Sequence, residues 1–143
     1  MEWIGRMERV EECVSFLVGK AAQRISRRAK ELLSPFDVTS PQYAVLKVLF
    51  ESDGLTAREI GERLAIDGAT ITGIVDRLEK ADLLERRADP LDRRVYRLAL
   101  TERAKSLARP LDAAMDQLNE ESRVLLGESA ETVYQGLKTL SGR

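Results

Sequence analysis

The sequence predicts a mainly helical protein with one small β-hairpin. Long amphipathic stretches lie at both ends, and a compact α+β unit lies between them. Two observations carry this. Apolar residues recur mostly at steps of three or four from Trp3 to Leu32, and a similar stripe runs from Ala104 to Leu125. Between them, Tyr96, Leu98 and Leu100 alternate with Val95, Arg97 and Ala99 after a Pro/Asp-rich turn, the period of a half-buried strand. At 143 residues the chain suits one compact domain with a core of its own.

The elements follow in order. Trp3, Met7, Val10, Val14, Leu17, Ala21, Ile25 and Leu32 form one stripe, predicting a long helix from about Glu2 to Leu33. Arg24, Arg27, Arg28 and Lys30 near its end read as a solvated face with favourable helix-dipole contacts. Ser34-Pro35 breaks it. Ser40 is expected to cap a second helix with Pro41 at its first position. That helix holds Tyr43, Val45, Leu46, Val48, Leu49 and Phe50, and its near-continuous apolarity predicts deep burial. Ser52-Asp53-Gly54 ends it.

Two short helices with clear start signals come next. Thr56-Ala57-Arg58-Glu59 reads as a capping box, with Leu55 and Ile60 at the staple positions. After a turn through Ala65 and Ile66, Asp67 caps a helix from Gly68 to about Ala81. Its Ile71, Ile74, Val75 and Leu78 must face the core. The opposite face is then centred on Ala69, Gly73, Asp76 and Lys80 and flanked by Thr70, Thr72 and Arg77. Such a face of small and polar side chains can lie deep in a major groove. Leu83–Ala88 and Arg94–Leu100 read as two strands around Asp89-Pro90-Leu91-Asp92-Arg93. A helix, tight turn and helix followed by such a hairpin is a winged helix-turn-helix. Thr101 caps a further helix, in which Pro110 predicts a kink. Gly127 ends that helix, and a last one carries Val133, Leu137 and Leu140.

Composition narrows the function. There is no histidine and one cysteine, Cys13. That removes histidine-based nucleophilic sites and any His or Cys zinc site, and no Gly-rich phosphate loop occurs. Neither an enzyme nor a cofactor or metal site is expected. A single cysteine fits a reducing cytosol, and no apolar run suits a membrane span or secretory signal, so the expected location is cytoplasmic. Net charge is −1, but Leu83–Arg109 carries a local +4 (eight Lys/Arg against four Asp/Glu), a basic face on an acidic body.

Asp92-x-Arg94, five residues, then Leu100-Thr101 is similar to the wing signature of MarR-type (multiple antibiotic resistance regulator) proteins. Asp76-Arg77-Leu78-Glu79-Lys80-Ala81-Asp82-Leu83-Leu84 resembles the end of their recognition helix, with Asp82 where glycine is common and Gly73 where many carry arginine. The chain is thus identified as resembling this family over nearly its whole length. The resemblance implies residues 34–100 as a DNA-binding region, and 1–33 with 101–143 as a homodimerisation region. It implies a sequence-specific repressor of a pseudo-palindromic double-stranded operator, released by a small aromatic acid or phenol. Ala69, Thr70, Thr72, Gly73 and Arg77 would face the major groove. Asp92, Arg93 and Arg94 would serve the wing, with Arg94 in the minor groove and Asp92 orienting it. Two alternatives stand beside this. One is a thiol-based peroxide sensor, although alignment puts Ser15 rather than Cys13 at the sensor position. The other is a helical interaction module without DNA binding.

Overall fold

A computed structural model describes residues 7–143. Eight elements organise it: α1 (Val14–Leu33), α2 (Ser40–Glu51), α3 (Ala57–Leu64), α4 (Gly68–Lys80), β1 (Leu84–Ala88), β2 (Tyr96–Leu100), α5 (Glu102–Leu126) and α6 (Ala130–Leu140). The mainly helical winged helix-turn-helix expected from the sequence is the observed fold.

The core sits where α2, α4, the hairpin and the first half of α5 converge. Leu33, Val45, Leu46, Leu49, Ile60, Val75, Leu78, Leu98 and Leu111 are buried there. The four core positions assigned to α4, Ile71, Ile74, Val75 and Leu78, are all buried. Strands β1 and β2 pair antiparallel from Leu84↔Leu100 to Ala88↔Tyr96. A bridge between Thr56 and Arg97, with the Leu98 amide donating to the Leu55 carbonyl at 2.8 Å, ties the hairpin to the segment before α3.

The caps are largely where the local chemistry puts them. Thr56, Asp67 and Thr101 each accept the amide three residues on. For α2 the cap is Thr39 rather than Ser40, and Gln42 completes a capping box with it. Around Thr56 only half the expected box forms, because the Glu59 carboxylate takes the Thr56 hydroxyl at 3.2 Å. Helix α5 runs through Pro110 without ending, and Gly127 caps it at φ 59°.

The first helix starts later than its stripe suggests. Residues 2–6, with Trp3, lie outside the described residues. Val10–Glu12 forms a 3-10 turn, and Cys13 is extended at φ −73°, ψ 123°, so α1 begins at Val14. Only Ala29 and Leu33 of α1 are buried, while Val14, Leu17, Val18 and Ile25 are exposed. Val124 and Leu125 of α5 and Leu137 and Leu140 of α6 are exposed as well. Two ion-pair clusters hold the long helices. The Arg28 guanidinium donates to both Glu121 oxygens at 2.8 Å across α1 and α5. The Tyr43 hydroxyl and Lys47 ammonium each donate to Asp112 at 2.8 Å across α2 and α5. No helix among the described residues is long and apolar enough to cross a membrane.

Candidate nucleic-acid interface

The unit α3–turn–α4 is set by backbone proximity. Helix α3 ends at Ala65, which takes a left-handed conformation (φ 56°, ψ 45°), and the Ile66 amide donates to the Gly61 carbonyl at 2.9 Å. A Cβ on Gly61 would lie 3.0 Å from the Ile66 carbonyl oxygen, so glycine permits this close approach. Asp67 then starts α4, its two carboxylate oxygens accepting the Thr70 amide (2.8 Å) and hydroxyl (2.9 Å). The Thr70 amide, first, and that hydroxyl hold the Asp67 carboxyl below the usual carboxylate range.

The outward face of α4 is open. Ala69, Thr70, Thr72 and Arg77 are exposed and Gly73 is half-buried. The Thr72 hydroxyl donates back to the Gly68 carbonyl at 2.8 Å, so its methyl and oxygen lone pairs are what it offers outward. Around Gly73 the nearest atom to a built Cβ is Arg77 Nη1 at 3.9 Å. Asp76, placed by periodicity near the centre of this face, is exposed there and bonded to the hairpin. Arg86 of β1 donates to Asp76 and to Glu79, each at 2.6 Å. That fork joins the wing to α4, and the hydrogen bond to Asp76 chiefly raises the Arg86 guanidinium pKa.

The wing tip is built around Asp89. Its side chain is 10% exposed. Oδ1 accepts the amides of Leu91 (2.7 Å) and Asp92 (3.4 Å), and Oδ2 accepts Arg97 Nε at 2.7 Å. The Leu91 amide, ahead of the Arg97 guanidinium, holds the Asp89 carboxyl below its usual range. Arg97 also donates to the Gly54 carbonyl at 3.1 Å. Asp92 Oδ1 accepts the Arg94 amide at 3.0 Å and meets Arg94 Nε only at 3.4 Å. Asp92 therefore shapes the turn through the backbone more than it grips the guanidinium, whose side chain is 93% exposed. Arg93 is exposed and makes no ion pair among the described residues.

The local charge is thus sorted. Arg86, Arg87, Arg97 and Lys105 lie within salt-bridge distance of carboxylates, as does Arg94 at 3.4 Å from Asp92 with its side chain 93% exposed, whereas Arg93 has no such partner among the described residues. The structure brings the predicted residues into two groups, one on α4 and one on the wing, with Arg86 between them. Sequence reasoning missed Arg86, Arg97 and Asp89. Asp89 had a readable signal, an aspartate opening an Asp-Pro turn, where a side chain commonly accepts the amide two residues on. No group of three or more His, Cys, Asp or Glu side chains among the described residues could hold a metal ion.

Comparison with known proteins gives a consistent set of relatives. Residues 38–96 match the model of the MarR family. The HTH-type transcriptional regulator TtmR of Methylorubrum extorquens is 38% identical over 97 residues, covering 68% of this chain and half the length of that relative. The organic hydroperoxide resistance transcriptional regulator of Bacillus subtilis is 29% identical over 92% of both chains. Among solved structures, a mutant MarR from Escherichia coli complexed with operator DNA superimposes with a TM-score of 0.80 at 26% identity, over 89% of this chain and 92% of that one.

Proposed function

The chain belongs to the MarR family of transcriptional regulators, and on that premise we propose that it is a homodimeric repressor in the cytoplasm that binds a pseudo-palindromic operator and is released by a small ligand. One observation carries the DNA-binding part. The open face of α4 and the exposed Arg93 and Arg94 of the wing belong to one braced unit, joined by Arg86 to Asp76 and Glu79. In this reading Ala69, Thr70, Thr72, Gly73 and Arg77 meet the major groove, and Arg94 enters the minor groove, whose negative potential deepens where it narrows. The exposed apolar side chains of α1, α5 and α6 pair two copies, and that pairing sets the half-site separation at about one helical turn or a multiple of it.

For the ligand, the geometry supports a cleft of about 510 Å³ between α2 and α5, lined by Tyr43, Lys47, Asp112, Met115, Asp116, Leu118 and Asn119. Its volume suits a small aromatic molecule. Lys47 is already engaged by Asp112, and Asp116 adds a second carboxylate, so a phenol fits better than an aromatic acid. The test is selection of duplexes from a random-sequence pool, then mobility shifts with phenol and salicylate as probes. Light scattering on the same sample reads the oligomer. A two-fold symmetric site released more readily by phenol supports the reading. A stable monomer, or no enrichment of sequence, overturns it.

The name of the Bacillus subtilis relative favours a second reading, thiol-based peroxide sensing. Cys13 stands half-buried at the start of α1, without a side-chain capping bond. Cumene hydroperoxide separates the two. Unchanged DNA binding supports ligand release, whereas release that Cys13→Ser abolishes supports the thiol sensor.

A further inference from the structure

We propose that Leu91 is an apolar reading residue at the wing tip, entering the minor groove beside Arg94 and packing on deoxyribose and the edge of a deformable base step. The proposal rests on the DNA-binding reading above. Leu91 is 97% exposed, more than any other large apolar side chain among the described residues. Apart from Tyr96, the other exposed large apolar side chains lie on the N-terminal segment and on α1, α5 and α6. Leu91 is thus set apart from the stripes that pair two copies.

Its position is also fixed. The Leu91 amide donates to buried Asp89 at 2.7 Å, Pro90 locks the preceding φ, and Arg97 holds the other Asp89 oxygen at 2.7 Å. A turn held this way loses little backbone freedom on binding, so only the leucine rotamers remain to be ordered. It stands two and three residues from Arg93 and Arg94. An apolar tip flanked by cations matches a minor groove about 6 Å wide, with apolar sugar walls and phosphate rims. Leucine is among the side chains that wedge between base steps from the minor groove, and pyrimidine–purine steps open most readily. Leu91 would therefore give preference for such a step at a position where Arg94 supplies only charge.

The experiment uses the full chain and a duplex that the wild type selects from a random pool. Affinity is measured by anisotropy at several salt concentrations for the wild type, Leu91→Ala, Leu91→Gln and Arg94→Ala. 2-Aminopurine is placed in turn at the outer positions of each half-site to report unstacking. A buried carbon is worth about four-fold in affinity, so burying two of the three carbons that Leu91→Ala removes corresponds to about 15-fold per wing. The expected result is that loss, with an unchanged salt slope and loss of the 2-aminopurine signal at one step. Leu91→Gln should keep the size but not restore the signal. Wild-type affinity and signal in Leu91→Ala, with Arg94→Ala still weakened, would overturn the leucine proposal alone. If Arg94→Ala is also unaffected, the wing does not meet DNA and the broader reading falls with it.

Discussion

Replacing Arg94 by alanine should make DNA binding less sensitive to salt, whereas replacing Arg97 should not. The two arginines stand three residues apart on one hairpin but have different surroundings. The Arg94 side chain is 93% exposed and has only a 3.4 Å contact with Asp92. Arg97 is held at 2.7 Å by the largely buried Asp89 and donates to the Gly54 carbonyl. Each phosphate equivalent neutralised adds about 0.9 to the slope of log affinity against log salt. A dimer carries two copies of Arg94, so Arg94→Ala should make that slope shallower by about 1.8. From about 50 to 200 mM salt, the ratio of wild-type to variant affinity should then shrink by about twelve-fold. Arg97→Ala should lower the melting temperature, because Asp89 loses its cation, and leave the slope unchanged. The assay is anisotropy on a selected duplex and on random DNA across four salt concentrations, with a thermal melt of each variant. An Arg94→Ala protein with unchanged affinity and slope refutes the reasoning. So does an Arg97→Ala protein whose slope falls as far as predicted for Arg94→Ala.

Other outcomes follow from the same geometry. Ala65→Gly should stabilise the protein by about 0.5–1 kcal/mol, because an exposed alanine holds a left-handed conformation that costs more than glycine's extra chain entropy. A lower urea midpoint would contradict this. Gly73→Arg should fold normally, since beyond its own helix backbone the nearest atom to the added Cβ is the flexible Arg77 Nη1 at 3.9 Å, and should change which bases are selected. An unchanged selected sequence would show that α4 is not the reading helix. The hydrogen bonds from Arg28, first, and from Gln117 lower the Glu121 carboxyl from its ordinary 4.5 to about 2. A value depressed by folding contributes stability above 4.5 that disappears as pH falls toward 2. Urea midpoints should therefore show Glu121→Gln less stable at neutral pH, with the gap closing between those limits. A pH-independent gap would point to packing instead.

Much of the fold was legible because its signals are local. Thr56, Asp67 and Thr101 announce their helices through a bond only three residues long. The same locality explains the slip at α2, where Thr39 and Ser40 offer equivalent oxygens and only the geometry of Gln42 chooses between them. The early start given to the first helix has a different cause. Met7, Val10 and Val14 keep a helical spacing yet are exposed in the single chain, so the pattern records apolarity without recording what covers it. The residues of the proposed interface were half-readable. Thr70, Thr72, Arg77 and Arg94 followed from periodicity and resemblance. The braces did not, because Arg86 reaches back ten residues to Asp76 and Tyr43 reaches 69 residues on to Asp112. Such pairs depend on strand register and helix docking, which no local spacing encodes.

The Arg86 fork bears on how operators for this protein can vary. With β1 fastened to two carboxylates on α4, the reading helix and the wing move together, and the distance between their contact points along the duplex is fixed by the fold. The distance between one such unit and its twin is set elsewhere, by the long helices. A binding site would then have a grammar with two kinds of gap. Within a half-site, a single inserted base pair moves one groove contact out of register for a helix and wing held in one braced unit. Between half-sites, the same insertion is met by the pairing of the long helices and not by the fork. Sites drifting over time would then keep the first interval through one copy and the second through the pairing of two.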